Sequence, residues 1–141
     1  MERMTYEECK QFLLEKPRPA IAAIVRADGS PHATPVWIDM DGDQVIFETS
    51  RESLKGRALR RYPRISLCVD DDQPPFSAVT IEGSAIISDD LADVRYWAGR
   101  IGGRYMGKDQ AEAYAERNGV EGELVVRVTI LNASGFRNVA E

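Results

Sequence analysis

The chain has 141 residues, a length typical of one folded domain with its own core. It is 43% hydrophobic and 29% charged, an ordinary balance for a globular protein, and no apolar run is long enough to cross a bilayer. The net charge of −5 argues against a protein built to attract nucleic acid. We therefore expect a single domain over residues 1–141, with neither a membrane nor a nucleic acid as partner.

The first residues and the two cysteines indicate the cellular compartment of the protein. The first ten residues, MERMTYEECK, mix charges of both signs and contain no apolar signal region. Cys9 and Cys68 lie far apart and form no metal or redox motif, so we interpret them as reduced thiols. No group of histidine, cysteine and acidic residues has metal-ligand spacing. These features predict a cytoplasmic protein without a metal site.

The first half of the chain predicts one helix and three strands. Thr5 and Glu8 have capping-box spacing, and the helix that they begin ends near residue 15. Strands follow over residues 20–26, 31–40 and 44–49, separated by short turns. Because turns this short join antiparallel neighbours, the three strands are predicted to form a meander.

A short basic helix is predicted next. Thr49 and Glu52 have the spacing of a capping box at its start, and Pro63 stops it. At about 100° per residue, Lys55 falls on the same face as the apolar Leu59. The sequence therefore places a cation on the side of the helix that packs.

A cation in that position indicates an anionic ligand. Burying an unpaired ammonium is costly, so Lys55 either extends into water or meets an acid or a phosphate. Its place in the first helical turn favours a phosphate, because free backbone amides and the helix dipole also attract an anion there. Six basic residues crowd this segment: Arg51, Lys55, Arg57, Arg60, Arg61 and Arg64. A solvated helix face is the alternative interpretation for most of the arginines.

The second half predicts the remaining strands and two further helices. A fourth strand covers residues 64–70, and a long fifth strand covers 76–88, with a bulge or bend at Gly83. An amphipathic helix starts at residues 89–90 and ends at the glycines 102–103. A short helix over 109–118 precedes the last strand, residues 123–136. Six short strands with one cover helix favour a closed or nearly closed antiparallel barrel.

Motifs that carry chemistry are scarce. His32 is the single histidine, and neither a phosphate-binding nor a dinucleotide-binding glycine motif is present. If the protein is an enzyme, the chemistry belongs to a cofactor that the protein holds and orients. Pro35 breaks the second strand because it cannot donate to the ladder, and Trp37 beside it offers a flat apolar surface. An edge strand with a core tryptophan is the alternative interpretation.

Four segments together resemble a known superfamily. They are HATPVW (residues 32–37), FETS (47–50), KGRALRRYPR (55–64) and IEG (81–83). Their order resembles that of the flavin and deazaflavin oxidoreductases of the pyridoxamine 5′-phosphate oxidase-like split-barrel superfamily. The closer resemblance is to the branch that uses coenzyme F420, a deazaflavin, and it covers the chain from about Phe12 to Arg137.

The resemblance implies a mainly β fold, a six-stranded antiparallel split β-barrel with short flanking helices. It also implies a homodimer with the cofactor at the subunit interface. By their positions in the motifs, the implied cofactor-binding residues are Pro35, Val36 and Trp37 against the ring system, Thr49 and Ser50 near the ring edge or ribityl phosphate, and Lys55 on the phosphate with help from Arg51 or Arg57.

The implied activity is transfer of hydride from reduced F420 to a conjugated acceptor such as biliverdin, a quinone or an enone. The catalytic side chain and the proton donor stay unidentified. An FMN-dependent oxidoreductase, or a flavin- or deazaflavin-binding protein without turnover, is the alternative on the same fold. A barrel that binds single-stranded nucleic acid is disfavoured, because aromatic residues do not alternate with the basic ones.

Two departures from the family pattern matter. Ala58 stands where the family helix often has an asparagine, so one side-chain hydrogen bond to the cofactor is missing. The chain also lacks the long C-terminal segment with tryptophan and arginine that pyridoxamine-phosphate oxidases use on their substrate, which argues against oxidation of vitamin B6. Residues 102–107 resemble a loop near the pocket of the F420-type relatives.

Overall fold

The computed structural model describes residues 1–141, which form eight strands and four helices. The strands are β1 (Glu2–Arg3), β2 (Ala20–Val25), β3 (Pro31–Val36), β4 (Asp39–Asp41), β5 (Gln44–Ser50), β6 (Arg64–Asp71), β7 (Ser77–Ser88) and β8 (Glu123–Arg137). The helices are α1 (Tyr6–Glu15), α2 (Leu54–Arg61), α3 (Leu91–Met106) and α4 (Ala111–Asn118), with one 3-10 turn at Lys108–Gln110. None of the helices combines the length and the apolar character needed to span a bilayer.

All strands belong to one antiparallel sheet in the order β3-β2-β6-β7-β8-β5-β4, and β1 pairs with β8. The two ends of this order, β3 and β4, are separated in the chain only by Trp37 and Ile38. Two intervening residues span at most about 11 Å between the strand ends, so the sheet edges must curl toward each other. The result is a barrel split between β3 and β4, which confirms the predicted split β-barrel.

The antiparallel pairings of the predicted meander are present, but its middle strand is divided, and this division helps to explain why the structure has eight strands rather than six. The chain predicted as one strand over residues 31–40 divides at Trp37 and Ile38 into β3 and β4. β3 pairs only with β2, and β4 pairs only with β5. Pro35 lies on the edge strand β3, opposite Ile21, where its missing N–H breaks no ladder. The short β1 adds the eighth strand.

The bulge predicted at Gly83 is confirmed. The register between β7 and β8 shifts between Glu82 and Gly83. A Cβ atom at Gly83 would lie 2.3 Å from a side-chain carbon of Val128 and 2.7 Å from the backbone oxygen of Thr129. Only glycine allows the two strands to approach this closely.

Apolar side chains form two clusters, one inside the barrel and one outside it. The inner cluster includes Phe47, Leu67 and Ile81 from the strands, and α1 closes it with Phe12. Full burial of each such side chain contributes roughly 1.5–3 kcal/mol. The outer cluster consists of Ile46, Val94, Trp97, Ile101 and Val125. It lies between α3 and the outer face of β5 and β8, and so fixes α3 over that face.

Two predicted helix starts have different outcomes. The capping box of α1 is confirmed, because the Glu8 amide donates to Thr5 Oγ1 at 3.2 Å and the Thr5 amide donates to Glu8 Oε1 at 2.9 Å. The capping box predicted for α2 at Thr49 and Glu52 is wrong. Ser53 caps α2 instead, and its Oγ accepts from the amide of Gly56 at 3.0 Å. Thr49 remains in β5, which continues through Ser50.

The end predicted for the amphipathic helix is also wrong. α3 continues past the glycines 102–103 to Met106, so residues 102–106 are helical rather than a loop. A Cβ atom at Gly102 would lie 2.2 Å from Cβ of Tyr114, and one at Gly103 would lie 3.0 Å from Cβ of Ala111. These glycines therefore serve close packing of α3 against α4 and do not end the helix.

Candidate functional site

A cavity of about 240 Å³ lies at the outer side of the barrel. It is bounded by the end of β3, the outer face of β5, the start of α2 and the hairpin of α3 and α4. Its lining residues are Pro35, Val36, Trp37, Glu48, Thr49, Lys55, Ala98, Ile101, Gly102, Asn118 and Glu123. Five of the eight residues predicted to bind a cofactor thus meet in one cavity, although that role itself stays a prediction.

Lys55 enters the cavity as a half-buried cation without an acidic partner. Its Nζ donates a hydrogen bond of 2.9 Å to Thr34 Oγ1 of β3. No ion pair shorter than 4 Å includes Lys55. An ammonium has three donors, so two of them remain for a ligand. The side chain therefore points along the packing side of α2, as its position in the helix predicted.

The segment before α2 is folded tightly by short polar contacts. Ser53 Oγ donates to the Ser50 carbonyl at 2.7 Å, and it lies 2.8 Å from Thr49 Oγ1. A Cβ atom at Gly56 would lie 2.3 Å from the Ser50 carbonyl oxygen. Thr49 is buried and lines the cavity, whereas Ser50 is exposed and lies outside the lining. The loop thus holds Thr49 and the first turn of α2 in one rigid unit with Lys55.

The arginines predicted to assist Lys55 do not line the cavity. Arg51 is exposed, and its guanidinium lies 3.9 Å from Asp89. Arg57 is also exposed and lines a separate depression on the other side of α2. Arg60 and Arg61 donate to backbone carbonyls, of Arg51 at 2.8 Å and of Val25 at 2.7 Å, respectively. Part of the basic cluster therefore fastens α2 to its surroundings.

Trp37 is neither buried in the core nor free of contacts at the surface. The side chain is 37% exposed, and its ring stacks on that of Tyr105, with centroids 4.9 Å apart and planes inclined by 3°. Tyr114 approaches at a tilt, with a centroid distance of 6.0 Å. The Tyr105 hydroxyl accepts from the Ile38 amide at 3.0 Å and donates to the Arg18 carbonyl at 2.6 Å. Burial raises the pKa of Tyr105, which keeps this hydroxyl protonated.

Glu48 is one of two acidic residues in the cavity wall, with Glu123. Neither of its carboxyl oxygens has a hydrogen-bond partner of good geometry, and both are buried. Burial, first, and then the nearby carboxylates of Glu123 and Asp93 raise the pKa of Glu48 to about 8, while the Ala98 amide acts in the opposite direction. Such a group is mainly a neutral acid at pH 7.

Several lining residues were not predicted from the sequence. Glu48 could have been found from the sequence. It comes directly after the buried run of residues 45–47 and is the next residue of that strand to face outward. Glu123 lines the cavity beside it, and burial raises its pKa as well. Asn118 had no such sequence signal, because its placement depends on how α4 packs on the barrel.

The barrel is antiparallel and split between β3 and β4, with a helical hairpin inserted before its last strand. This architecture places the chain in the split-barrel class of proteins. Within that class, the chain belongs to the family described as pyridoxamine 5′-phosphate oxidase, which matches residues 5–135.

Three solved structures with the same fold each share less than a quarter of its residues. A conserved hypothetical protein of Mycobacterium tuberculosis is 23% identical, with a TM-score of 0.81 over 96% of this chain and 86% of that one. An F420 reductase is 22% identical, with a TM-score of 0.70 over 87% of this chain and 94% of that one. An FAD-binding protein of Mesorhizobium loti is 18% identical, with a TM-score of 0.71 over 95% of this chain and 93% of that one. No curated protein matches the chain.

Proposed function

We propose that the protein is an oxidoreductase that binds reduced coenzyme F420 and transfers its hydride to a conjugated acceptor of the biliverdin, quinone or enone type. Membership in the pyridoxamine 5′-phosphate oxidase family supports a flavin-like cofactor. Among the structures that share the fold, one is an F420 reductase and another is an FAD-binding protein. FMN is the alternative cofactor, and binding without turnover is the alternative role.

The observation that carries the proposal is the unpaired ammonium of Lys55. It stands half-buried at the cavity, bonded only to Thr34 Oγ1. A cation desolvated without a carboxylate is costly, and a phosphate relieves that cost with charge-assisted hydrogen bonds. The residues present therefore fit the phosphate end of a ribityl-phosphate cofactor.

The segment that follows Thr34, the hydrogen-bond partner of Lys55, fits a flat ring. Pro35 lacks an N–H, and Val36 and Trp37 follow it at the point where the chain leaves the sheet. Backbone groups at that point are not used by a neighbouring strand on the free side of β3. Trp37 is held in place by its stack on Tyr105. A ring system lying against this segment gains apolar contact and backbone hydrogen bonds in a fixed orientation.

The outer face of the sheet that includes Pro35 supports a homodimer with the cofactor between the subunits. On the outer face of β3, β2, β6 and β7, the register sets small and uncharged residues side by side: Ile21, Ala23, Val25, Ala33, Pro35, Ser66, Cys68 and Thr80. The charged Arg64, Asp70 and Glu82 lie on the same face and border this uncharged patch. Uncharged sheet faces of this kind favour protein contacts. Pro35 belongs both to this face and to the cavity, so a second copy seated here closes the cavity.

Cavity size supports the same arrangement. The volume of about 240 Å³ is smaller than the roughly 300–1,000 Å³ of ordinary ligand sites. One copy therefore encloses only part of a cofactor with a tricyclic ring and a phosphate, and the remaining wall comes from the partner.

In the proposed reaction, the bound cofactor supplies the hydride. The chain contributes position and environment: Lys55 holds the phosphate end, the segment of residues 35–37 orients the ring, and α3 and α4 keep water from one side of the cavity. Removing a substrate from bulk water in this way strengthens the polar contacts that orient it.

The test is a pair of titrations followed by a turnover assay. The protein is titrated with FMN and with F420, and binding is followed by the change in ring absorbance or fluorescence. Tighter binding of F420 and oxidation of reduced F420 by a conjugated acceptor are expected. Tighter binding of FMN would move the assignment to the flavin alternative, and binding without oxidation in the presence of acceptors would identify a carrier. The proposal is wrong if neither cofactor binds.

A further inference from the structure

The cavity wall carries acidic groups that the proposed function leaves unused. Glu48 and Glu123 line the cavity together with Lys55. No ion pair shorter than 4 Å connects Lys55 with either carboxyl group. The acids therefore do not neutralise the lysine, and their presence needs a separate explanation.

The sheet register shows why Glu48 has no cation. On the outer face of β8, Val125 lies opposite Glu48, and Glu123 and Arg127 are the outward residues on either side of Val125. Diagonal neighbours are within reach of long side chains, so Arg127 is the cation that the sheet offers to Glu48. Its guanidinium is instead bound by two other carboxylates, at 3.0 and 3.2 Å. Glu48 is thus left unpaired beneath α3.

The groups around Glu48 favour its uncharged form. β8 contributes Glu123 and the already paired Arg127, α3 contributes Asp93, and α2 contributes Lys55 to the same cavity without an ion pair to Glu48. α4 contributes only the uncharged Asn118 to the cavity wall. Burial and the neighbouring acids raise the pKa of Glu48 to about 8. At neutral pH the residue is mainly a carboxylic acid, and its O–H has no acceptor in the protein.

We propose that Glu48 donates the hydrogen bond of its carboxylic acid to an acceptor atom of the ligand that occupies this cavity. The inference rests on the proposed function, because flavin and deazaflavin rings carry carbonyl oxygens and ring nitrogens that accept such bonds. A neutral acid suits this place better than a carboxylate, since it does not repel the phosphate held at Lys55. The O–H of Glu48, which has no acceptor in the protein, and an acceptor atom of the ligand ring then form a hydrogen bond with each other.

The test measures ligand affinity against pH for wild type and for Glu48→Gln, with FMN and F420 titrated separately at pH 7 and pH 9. If only the acid form donates, the dissociation constant of the wild type rises about tenfold over this range, because the protonated fraction falls from about nine-tenths to about one-tenth. The amide of Glu48→Gln donates at every pH, so its dissociation constant stays constant. Lys55→Ala serves as the matched control: its affinity is weaker at both pH values, but the pH dependence remains.

Infrared spectroscopy supplies an independent readout on the ligand-free protein. The wild type should show a carboxylic acid C=O band that disappears with a midpoint near pH 8, and this band should be absent from Glu48→Gln. Absence of the band from wild type at pH 7 overturns the inference. So does binding whose pH dependence is the same in both proteins, and in that case the proposed function stands. Failure of both cofactors to bind wild type at either pH removes the proposed function and this inference together.

Discussion

Tyr105 lies parallel to Trp37, with ring centroids 4.9 Å apart, and its hydroxyl bonds two backbone groups that are distant in the chain. One bond comes from the amide of Ile38, next to Trp37, and the other goes to the carbonyl of Arg18, just before β2. Tyr105 therefore fixes the orientation of Trp37 from α3, an element that belongs to neither sheet edge.

Removing the Tyr105 hydroxyl should weaken this attachment. We expect Tyr105→Phe to lose about 1–3 kcal/mol of stability, because the half-buried amide of Ile38 is left without a partner. Tyr105→Leu also removes the stack on Trp37 and should lose roughly 0.5–1.5 kcal/mol more. Chemical denaturation gives both free energies, and tryptophan fluorescence reports the environment of the ring. Equal stability of both variants and wild type would show that the attachment is not significant.

Lys55→Ala should weaken cofactor binding far more than folding. Losing a charge-assisted contact with a phosphate costs about 1.5–3 kcal/mol of binding, more than tenfold in the dissociation constant. Arg57→Ala, on the same helix but outside the cavity, is the matched control and should bind within about twofold of wild type. Cofactor titrations and melting temperatures are measured for all three proteins. Equal losses in the two variants would mean that general positive charge, and not the site, attracts the cofactor.

The stability of Glu48→Gln relative to wild type should depend on pH. The pKa of Glu48 is raised from 4.5 to about 8 by folding, so between these values the folded state binds a proton that the unfolded state has lost. Wild-type stability therefore falls with rising pH through this window, and the contribution levels off above pH 8.

Glu48→Gln does not titrate, so it should gain roughly 1–2 kcal/mol on wild type between pH 5 and pH 9. This difference is well below the free energy that corresponds to the full pKa shift, because the residue is partly solvated. Urea denaturation at both pH values measures the difference. A constant difference between the two proteins would show that Glu48 is ionised in the folded state throughout.

Gly102→Val should displace α4. A Cβ atom at Gly102 would lie 2.2 Å from Cβ of Tyr114, so the helices must separate, with an expected loss of about 1–3 kcal/mol. Ala113→Val introduces the same side chain at an exposed position of α4 and should cost only its lower helix propensity, less than about 0.7 kcal/mol. Thermal unfolding and near-ultraviolet circular dichroism compare the two. If both variants behaved alike, the glycine contact would not be what holds the hairpin together.

The protein should be a dimer in solution. Light scattering is expected to give twice the chain mass of 15.7 kDa at micromolar concentration. Ile21 lies at the centre of the uncharged sheet face and is 43% exposed, so Ile21→Glu should shift the protein toward monomer and weaken cofactor binding. Leu14→Glu changes an equally exposed apolar residue of α1 and should leave the dimer intact. A monomeric wild type would remove the interface groove from the proposed site.

The sequence predicted correctly the features that depend on neighbouring residues. Pro63 stops α2, Thr5 and Glu8 cap α1, and Gly83 marks the bulge of β7, because proline, capping side chains and glycine act on backbone within a few residues. Helical periodicity likewise placed Lys55 on the packing side of α2. The start of α2 and the end of α3 were predicted wrongly, because contacts with other elements decide where these helices begin and end.

Tertiary structure alone decided what surrounds Lys55. The strand order brings β3 and β4 to opposite ends of one sheet, and only its curvature returns residues 35–37 to the side of α2. Glu48 becomes a buried acid because α3 covers β5 and Arg127 is bound by other carboxylates. By itself, the sequence determined most helices and strands and the position of Lys55 on its helix, since hydrogen bonds and periodicity within a segment suffice to place them. The cavity and its acid wall depend on packing between segments distant in the chain, and that packing sets which charges are paired and which are buried.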